Sequence, residues 1–394
     1  MLDPLPPSPQ WLQDAFRPMS EKLGLHSMPL HIHEIIFSFV GYQLIQSIVS
    51  PYLSTILFPK LYPHFSHRTK LNWDVHVVSL VQSSLINAVA LWVMFVDEDR
   101  QSLNSSERVW GYLGSCGLIQ SMAVGYFIWD LIVSTRYMKI FGIGLWFHAV
   151  SALWVFCLGF RPFVNYYGPT FILYELSSPF LNFHWFFDKV NMTGSKVQWY
   201  NGMALLSMFF CCRLVWGTWQ STRVFMDIFS AYKQADGRSA LAPVNVLSFF
   251  QDRSSIPCAT ETCTMANAEI SKFADAQNIS GIPIWLIATY LGSNLILNSL
   301  NFYWFWKMIE TVMKRFRVPA PDAQEKTKTE ESKIKIKLGA PNSHAIVLEA
   351  AAKLEQEERL FINGGISDYT EDETVTVSSS TATTTTPSAR RRKA

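Results

Sequence analysis

Three ionisable side chains lie deep inside apolar stretches of this chain, where a charge is costly to maintain. His148, Glu175 and Arg213 each stand several residues from the nearer end of their stretch. At 1.5 Å per helical residue, each would lie at least about 10 Å from that end. Glu175 and Arg213 can neutralise each other, and His148 can accept or donate a proton near neutral pH.

Polar residues also recur every three or four positions in several apolar stretches, which places each set on one face of a helix. Such residues can hold helices together through hydrogen bonds, or they can line a polar cavity that admits a lipid headgroup. Both interpretations stay open, and both can hold. The sets are His76, Ser79, Ser83 and Asn87; Tyr126 and Asp130; Glu175, Ser178 and Asn182; Arg213, Trp216, Gln220 and Arg223; and Tyr290, Asn294, Asn298 and Asn301.

The cavity hypothesis predicts that the three ionisable residues face one shared interior space. A charged side chain at the centre of a lipid bilayer costs at least about 2.5–3.5 kcal/mol. We expect Pro179 to bend the helix that carries Glu175, and no catalytic role is assigned to any residue. The candidate cavity residues are Asp130, His148, Glu175, Ser178, Asn182, Arg213, Trp216, Gln220, Asn294 and Asn298.

Long apolar stretches must position these side chains, and the composition supports a membrane protein. The chain is 49% hydrophobic and only 16% charged, whereas soluble proteins carry about 25% charged residues. A bilayer-spanning helix needs roughly 20 apolar residues. The predicted fold class is therefore all-α, a polytopic membrane protein with about seven transmembrane helices. They cover about residues 33–58, 75–96, 113–133, 141–160, 164–187, 200–229 and 282–309.

Loop charge predicts the orientation of these helices. With seven spans, the basic loops at 59–74 and 134–140 and the basic residues after the last span fall on one side, opposite the acidic loop at 97–112. The positive-inside rule then places the C-terminus in the cytosol and the N-terminus in the lumen or outside the cell. The predicted organisation is a luminal segment, a first transmembrane helix with its loop, a six-helix domain and a disordered cytosolic tail. These parts cover residues 1–30, 31–69, 70–314 and 318–394.

The same orientation makes predictions for modification. The glycosylation sequons at Asn104 and Asn278 become luminal, whereas the sequon at Asn191 becomes cytosolic and should stay unmodified. Cys258 and Cys263 fall in a luminal loop, where a disulfide bond can form between them.

Four stretches resemble, in order, the motifs of the TLC domain family, a lipid-handling group that includes the ceramide synthases. NWDVHVVSLVQS at 72–83 is similar to the tryptophan-histidine opening of that domain, and GYFIWDLIVSTRY at 125–137 is similar to its GYF-x-x-D segment. Residues 147–148 fall where many members have a His-His pair. YELSSPFLNFHWF at 174–186 is the most specific stretch, and it is similar to the E-x-S-x-P-F-L-N segment of the non-synthase branch.

The resemblance implies a TLC-type helical bundle over roughly residues 70–314 and a lipid as the ligand. Ceramide synthases acylate a sphingoid base with acyl-CoA, using the His-His pair and a later His-Asp and Asp. Here Phe147 replaces the first histidine, and 175–179 reads Glu-Leu-Ser-Ser-Pro where the acids would stand. The resemblance therefore disfavours the synthase mechanism for this chain.

Three functions remain as hypotheses. The first is a non-synthase TLC protein of the endoplasmic reticulum or another endomembrane that binds, senses or moves lipid and influences membrane lipid composition. The second is an acyltransferase with an altered site, in which His148, Glu175 and Asp130 act on a long-chain acyl-CoA and a sphingoid base. The third is an endoplasmic reticulum export or translocation factor that contacts protein partners through its cytosolic tail.

Several other function classes lack a signal in the sequence. No phosphate-binding loop, dinucleotide fingerprint or zinc signature is visible, so we expect no cofactor and no bound metal. No basic patch is interleaved with base-stacking aromatic residues, so we expect no nucleic-acid partner.

The predicted orientation can be tested by proteolysis. Protease added to intact microsomes should remove residues 318–394, because the basic loops place the tail in the cytosol. An N-terminal epitope should be digested only after detergent opens the vesicles, which serves as the control. Protection of the tail together with digestion of the N-terminal epitope would show the opposite orientation.

Overall fold

Helices make up the fold in the part of the chain that the computed structural model describes, which is residues 1–236, 250, 260–274 and 283–316. Within these residues no strand occurs, which confirms the all-α prediction. Two π-helical turns and three 3₁₀ turns complete the structure, and they are Ile45–Val49, Phe210–Trp216, Tyr62–His64, Asn165–Tyr167 and Leu173–Ser177. The α-helices are α1 (Gln10–Leu23), α2 (Met28–Leu44), α3 (Ser50–Leu57), α4 (His67–Val96), α5 (Glu98–Gln101), α6 (Ser105–Trp110), α7 (Gly114–Arg136), α8 (Met138–Leu158), α9 (Gly168–Ile172), α10 (Ser178–Lys189), α11 (Lys196–Phe209), α12 (Gly217–Asp236), α13 (Glu261–Ile270) and α14 (Ile284–Phe316).

Five helical stretches among the described residues are long and apolar enough to cross a membrane, which confirms a polytopic membrane protein. α14 has 33 residues and is also long enough to cross, but its buried asparagines make it less apolar. The predicted count of seven spans stays a prediction. The five stretches are Met28–Leu57, His67–Val96, Ser105–Arg136, Met138–Leu158 and Lys196–Lys233.

The helix predicted at 164–187 is not continuous, which corrects the sequence interpretation. The chain there alternates between 3₁₀ turns and the short helix α9 before α10 begins. Pro169 and Pro179 stand in the first turns of α9 and α10, where a proline is tolerated because the first N–H groups of a helix lack an intrahelical partner. Pro179 therefore starts a helix instead of bending one, and the backbone before it is irregular.

α7 forms the centre of the bundle, and most of its length is buried. Two of its glycines face α2. A Cβ atom at Gly117 would stand 2.3 Å from His31 Nε2, and one at Gly125 would stand 2.7 Å from the Ile35 carbonyl oxygen. The missing side chains let the two helices approach closely, as small residues do between membrane helices.

Main-chain contacts at one end of the bundle join loops that the charge pattern assigns to the same, luminal side. These contacts tie together the α1–α2 turn, the α4–α7 connection, the α8–α9 loop and the end of α13. The Ser27 N–H donates to the Phe160 carbonyl oxygen at 2.9 Å, and the Val164 N–H donates to the Val109 carbonyl oxygen at 2.8 Å. The Tyr112 N–H donates to the Ile270 carbonyl oxygen at 3.1 Å.

Aromatic contacts join the loops at the opposite end. The Trp73 indole N–H donates to Ser54 Oγ at 2.8 Å, and its ring lies 4.8 Å from the Phe186 ring and 6.1 Å from the Trp185 ring. These residues belong to loops and helix ends that the charge pattern assigns to the cytosol. The grouping of loops thus agrees with the charge pattern, while the compartment at each end stays a prediction.

An ion pair links α6 to α12 near the end of the bundle that is predicted to be luminal. Arg108 Nε donates to Asp227 Oδ2 at 2.6 Å, and Arg108 Nη2 donates to Asp227 Oδ1 at 2.7 Å. The Tyr167 hydroxyl also donates to Oδ2 at 2.6 Å. A bidentate pair of this kind fixes both distance and orientation, so it sets how α12 lies against α6 and the 3₁₀ turn Asn165–Tyr167.

The structure describes some of the residues for which a disulfide bond or glycosylation was predicted. Cys263 is disulfide-bonded, and its predicted partner Cys258 lies outside the described residues. Asn104 is exposed, and its side chain caps α6 by accepting the Glu107 N–H at 3.0 Å. The sequon at Asn278 and the tail at 318–394 also lie outside the described residues.

The Arg108–Asp227 pair makes a stability prediction. Asp227→Asn should lower the free energy of unfolding by about 3 kcal/mol, because removing one partner leaves the other charge uncompensated in a largely buried place. Unfolding of the purified chain in detergent micelles would measure the effect. Asp14→Asn is the matched control, since Asp14 pairs with Arg17 on the exposed face of α1 and should change stability by less than about 1 kcal/mol. Equal effects of the two substitutions would contradict the prediction.

Candidate functional site

Arg213 lies at the meeting point of two irregular backbone segments. It belongs to the π-helical turn Phe210–Trp216, which packs against the 3₁₀ turn Leu173–Ser177. A π turn holds one more residue than the α-helix around it and is often found at functional sites. The turn presents Arg213 to the interior of the bundle, where the residue is only 8% exposed.

The Arg213 guanidinium is held by side chains from both neighbouring parts of the bundle. Its Nε donates to Ser177 Oγ at 3.1 Å, its Nη1 donates to Asn301 Oδ1 at 3.1 Å, and its Nη2 donates to Ser178 Oγ at 3.3 Å. Glu175 Oε1 lies 3.6 Å from Nη2, and Glu175 Oε2 accepts the Ser178 hydroxyl at 2.6 Å. The structure thus brings together the three predicted residues Glu175, Ser178 and Arg213.

The asparagines of α14 form a second polar group beside this one. Asn298 Nδ2 donates to Ser221 Oγ and to Asn294 Oδ1, both at 2.9 Å. The Tyr174 hydroxyl donates to Asn298 Oδ1 at 3.3 Å. The bonds to Ser221 and Tyr174 join α14 to α12 and to the segment before α10, whereas the bond to Asn294 lies within α14. The lining of a cavity by Asn294 and Asn298 stays a prediction.

Asn182 takes part in a third polar group, between α10 and α4. Its Oδ1 lies 2.8 Å from His76 Nδ1, and its Nδ2 donates to Ser79 Oγ at 3.0 Å. The His76 ring stacks on the Trp185 ring, with 4.2 Å between centroids. These contacts again hold two helices together.

Asp130 and His148 lie within electrostatic range of Glu175 without contacting it. Asp130 is 8% exposed and lies 3.5 Å from the Ser134 hydroxyl. His148 Nδ1 has no hydrogen-bond partner among the described residues, and its ring packs edge-on against Trp304 at 5.6 Å. The His148 ring therefore has no hydrogen bond at Nδ1 that would orient it as a base among the described residues.

The two remaining predicted residues lie further along the same helix as Arg213. Trp216 Nε1 donates to the Thr170 carbonyl oxygen at 3.2 Å, so it satisfies a backbone acceptor in the broken segment. Gln220 is 3% exposed and faces the interior. Neither residue is in contact with the Arg213 guanidinium.

Open space lies elsewhere in the described part of the molecule. One cavity of about 10 Å³ lies between α8 and the residues around Tyr167, and one of about 440 Å³ lies beside the N-terminal segment. Neither is lined by His148, Glu175 or Arg213. The predicted site residues therefore fall into several polar groups, of which Glu175, Ser178 and Arg213 form one. A shared cavity that opens to a headgroup stays a prediction.

Sequence reasoning left two contacts of Arg213 out of the candidate list. Asn301 stood in a polar stripe but was not chosen, although it is 3% exposed and accepts directly from Arg213. Ser177 was not in any stripe, because the 3₁₀ turn shifts it onto the face of Ser178. The polar residues of α14 recur at helical spacing up to Asn301, so the sequence could have identified Asn301 as a site residue. No sequence pattern indicates the 3₁₀ turn that carries Ser177.

Comparison with known proteins agrees with this architecture. A family model of the TLC domain matches residues 72–310. An uncharacterised TLC domain-containing protein of Schizosaccharomyces pombe is 35% identical over 312 residues, which cover 79% of this chain and 89% of the relative. Topoisomerase I damage affected protein 4 of Saccharomyces cerevisiae is 29% identical over 316 residues, covering 79% of this chain and 92% of the relative.

A human relative is more distant. TLC domain-containing protein 4 of Homo sapiens is 29% identical over 180 residues, which cover 45% of this chain and 66% of the relative. The residues that the family model matches include all four motif stretches. This chain belongs to the TLC domain family of integral membrane proteins, on its non-synthase branch.

Proposed function

We propose that this membrane protein binds a lipid inside its helical bundle, where Arg213 receives an anionic headgroup, and so influences membrane lipid composition. The compartment that fits this role is the endoplasmic reticulum or another endomembrane. Transport and sensing would both begin with this binding step. The observation that carries the proposal is a buried guanidinium whose hydrogen bonds go to neutral side chains.

The charge of Arg213 is only partly compensated by Glu175. Their closest atoms are 3.6 Å apart, which is beyond an ordinary hydrogen bond. The three side-chain hydrogen bonds of the guanidinium go instead to two hydroxyls and one amide oxygen. A guanidinium has five N–H donors arranged as a fork, and that fork matches a phosphate or carboxylate group. An anionic headgroup would thus supply the partner that Arg213 lacks.

The backbone around Arg213 supports a binding role as well. Inside a membrane, irregular backbone is tolerated only where it is buried in protein or lines a polar cavity. Here a π turn and a 3₁₀ turn face each other across the same polar group. Discontinuous helices often form substrate sites at this depth in membrane transporters.

The outer faces of the same helices suit contact with acyl chains. Along the stretch that carries Arg213, the opposite face is apolar and exposed, at Phe210, Val215 and Trp219. α14 exposes a similar apolar face. A lipid whose headgroup reached Arg213 could thus keep its chains in contact with apolar side chains at the bundle surface.

The acyltransferase alternative receives less support from the geometry. General acid–base catalysis needs a base within hydrogen-bond reach of the proton that it moves. His148 instead makes edge contacts with the rings of Phe127 and Trp304, and its Nδ1 lacks a hydrogen-bond partner among the described residues. Phe147, where the synthases have a histidine, is 48% exposed on the outside of the helix.

Lipid binding can be measured on the purified chain. We expect anionic lipid to be retained through gentle detergent purification and to be detected by mass spectrometry. Arg213→Gln should weaken its binding about 10–100-fold, because a charge-assisted hydrogen bond contributes about 1.5–3 kcal/mol. Glu175→Gln should keep or strengthen binding, because it removes the competing negative charge. Ser299→Ala is the control, since Ser299 is exposed on α14 and bonds only to the Leu295 carbonyl oxygen.

Two results would contradict the proposal. One is lipid retention by Arg213→Gln that equals that of the unmodified chain. The other is a loss of stability in both Arg213→Gln and Glu175→Gln with no difference between them in bound lipid. The second result would make the pair a structural link between helices only.

A second prediction concerns acyl transfer. With sphinganine and a long-chain acyl-CoA, the purified chain should form no dihydroceramide, because the first histidine and the acidic pair of the synthase motif are replaced. A ceramide synthase assayed in the same detergent would be the positive control. Product formation that His148→Ala abolishes would establish the acyltransferase alternative instead.

A further inference from the structure

A compact group of metal-ligating side chains lies at the end of the bundle that is predicted to be luminal. Asp3 comes from the segment before α1, whereas His31 and Glu34 lie in the first turns of α2. His31 Nδ1 lies 3.1 Å from Asp3 Oδ2 and 2.9 Å from Glu34 Oε2. One ligand atom from each residue can be chosen so that all three lie within 4.8 Å of one another.

These distances fit the coordination of a single ion. Zinc ligands lie about 2.0–2.2 Å from the metal, so neighbouring ligand atoms are about 3–3.5 Å apart. The side chains of His31 and Glu34 are 1% and 2% exposed, and that of Asp3 is 16% exposed. The ligands would thus need only small movements to enclose an ion.

The fold makes room for this group. A Cβ atom at Gly117 would stand 2.3 Å from His31 Nε2, and a Cβ atom at Gly114 would stand 2.4 Å from the Asp3 backbone nitrogen. The two glycines are one turn apart on α7, so α7 leaves space for both ligands. Ser8 secures the same segment, because its hydroxyl donates to the Pro29 carbonyl oxygen and its N–H donates to the Leu30 carbonyl oxygen.

One carboxylate oxygen in the group lacks a partner. Glu34 Oε1 is buried and has no hydrogen bond among the described residues. The His33 ring nitrogen Nε2 lies 3.9 Å from it, beyond hydrogen-bond reach. A buried carboxylate oxygen is stable only when a donor or a cation satisfies it. This oxygen therefore points independently to a cation beside Glu34.

Tyr112 orients the histidine from its other side. The Tyr112 hydroxyl lies 2.6 Å from His31 Nε2. Metal-bound histidines usually donate their second ring N–H to an oxygen, which fixes the tautomer and the direction of the ring. With Nε2–H donating to the Tyr112 oxygen, Nδ1 is free of its proton and faces the two carboxylates.

The larger cavity reaches this group. It has a volume of about 440 Å³ and is lined by Asp3, His31, Tyr112, Glu269 and Lys272, together with neighbouring apolar residues and prolines. Burial raises the pKa of the Glu269 carboxyl, and the nearby Lys272 partly offsets this rise. The cavity gives an ion a path to the site and leaves room for a water molecule as a fourth ligand.

We propose that Asp3, His31 and Glu34 bind one divalent transition-metal ion of the zinc class, which fastens the N-terminal segment to α2 and α7. One imidazole nitrogen and two carboxylate oxygens form a ligand set that zinc accepts. The sequence shows no zinc signature here because one ligand lies far from the other two along the chain. The site is separate from Arg213 and does not depend on the proposed lipid binding.

The alternative without a metal is a protonated His31 that donates from Nδ1 to both carboxylates and from Nε2 to Tyr112. The two arrangements use the same atoms, but only the first one binds zinc with a fixed stoichiometry. They are therefore distinguished by metal content.

The test uses the full-length chain without an affinity tag, purified in detergent, stripped with a chelator and dialysed against zinc chloride. We expect one zinc per chain by elemental mass spectrometry and a rise in the unfolding temperature on adding zinc. Asp3→Asn and Glu34→Gln keep the shape of the ligands and should each weaken zinc binding at least about tenfold. Asp14→Asn, on the exposed face of α1, is the control and should bind zinc like the unmodified chain.

Tyr112→Phe provides a second variant if the ligand variants fail to fold. It removes the hydroxyl that is hydrogen-bonded to the second nitrogen of His31, and it should weaken zinc binding about 10–100-fold. Less than one zinc per chain in the folded, unmodified protein would overturn the proposal. Unchanged zinc affinity in both Glu34→Gln and Tyr112→Phe would overturn it as well and would leave the protonated-histidine arrangement.

Discussion

A guanidinium inside an apolar bundle has no water to supply its hydrogen-bond partners, and the arrangement of helices around Arg213 follows from that constraint. Two hydroxyls come from the segment that leads into α10, and one amide oxygen comes from α14. The helix that carries Arg213 adopts a π turn there, and the segment opposite adopts a 3₁₀ turn. Both turns lie where the backbone is next to polar side chains of the protein. Backbone N–H and C=O groups without a hydrogen bond are costly in contact with lipid, so irregular backbone is confined to such places.

Polar contacts in the molecule have two different roles. The asparagines of α14 and the His76–Asn182 contact join helices across the interior, so they hold the bundle in one arrangement. The Arg108–Asp227 pair does the same at one end of the bundle with full charges. The groups around Arg213 and around His31 differ, because each contains a buried ionisable group that is only partly satisfied: Arg213 lies 3.6 Å from Glu175, and Glu34 Oε1 has no hydrogen bond among the described residues. This difference separates the sites that can bind a ligand from the contacts that only hold the fold together.

Much of the fold could be read from the sequence, because apolar stretches of membrane length are a strong signal. α4, α7 and α8 lie within a few residues of the predicted bounds at most ends. The break before α10 was not predicted, since Pro179 can either bend a helix or begin one, and the choice depends on neighbouring helices. The sequence allows Glu175 and Arg213 to neutralise each other, and their side chains lie 3.6 Å apart, while the shared cavity with His148 stays a prediction. Ser177 and the Asp3–His31–Glu34 group could not be found, because a 3₁₀ turn and a long-range contact leave no local pattern.

The π turn at Phe210–Trp216 constrains how the length of this helix can vary. A π turn takes up one residue more than an α-helix needs for the same rotation, so deleting one residue there would restore a continuous α-helix and leave the helix on either side close to its present orientation. Ser221 would then still face Asn298, whereas the turn that presents Arg213 to Ser177 would be lost. A single-residue gap at this place would thus change the position of the guanidinium, although no polar side chain had been replaced. Residue count within this turn is therefore as informative as residue identity when relatives of this chain are aligned.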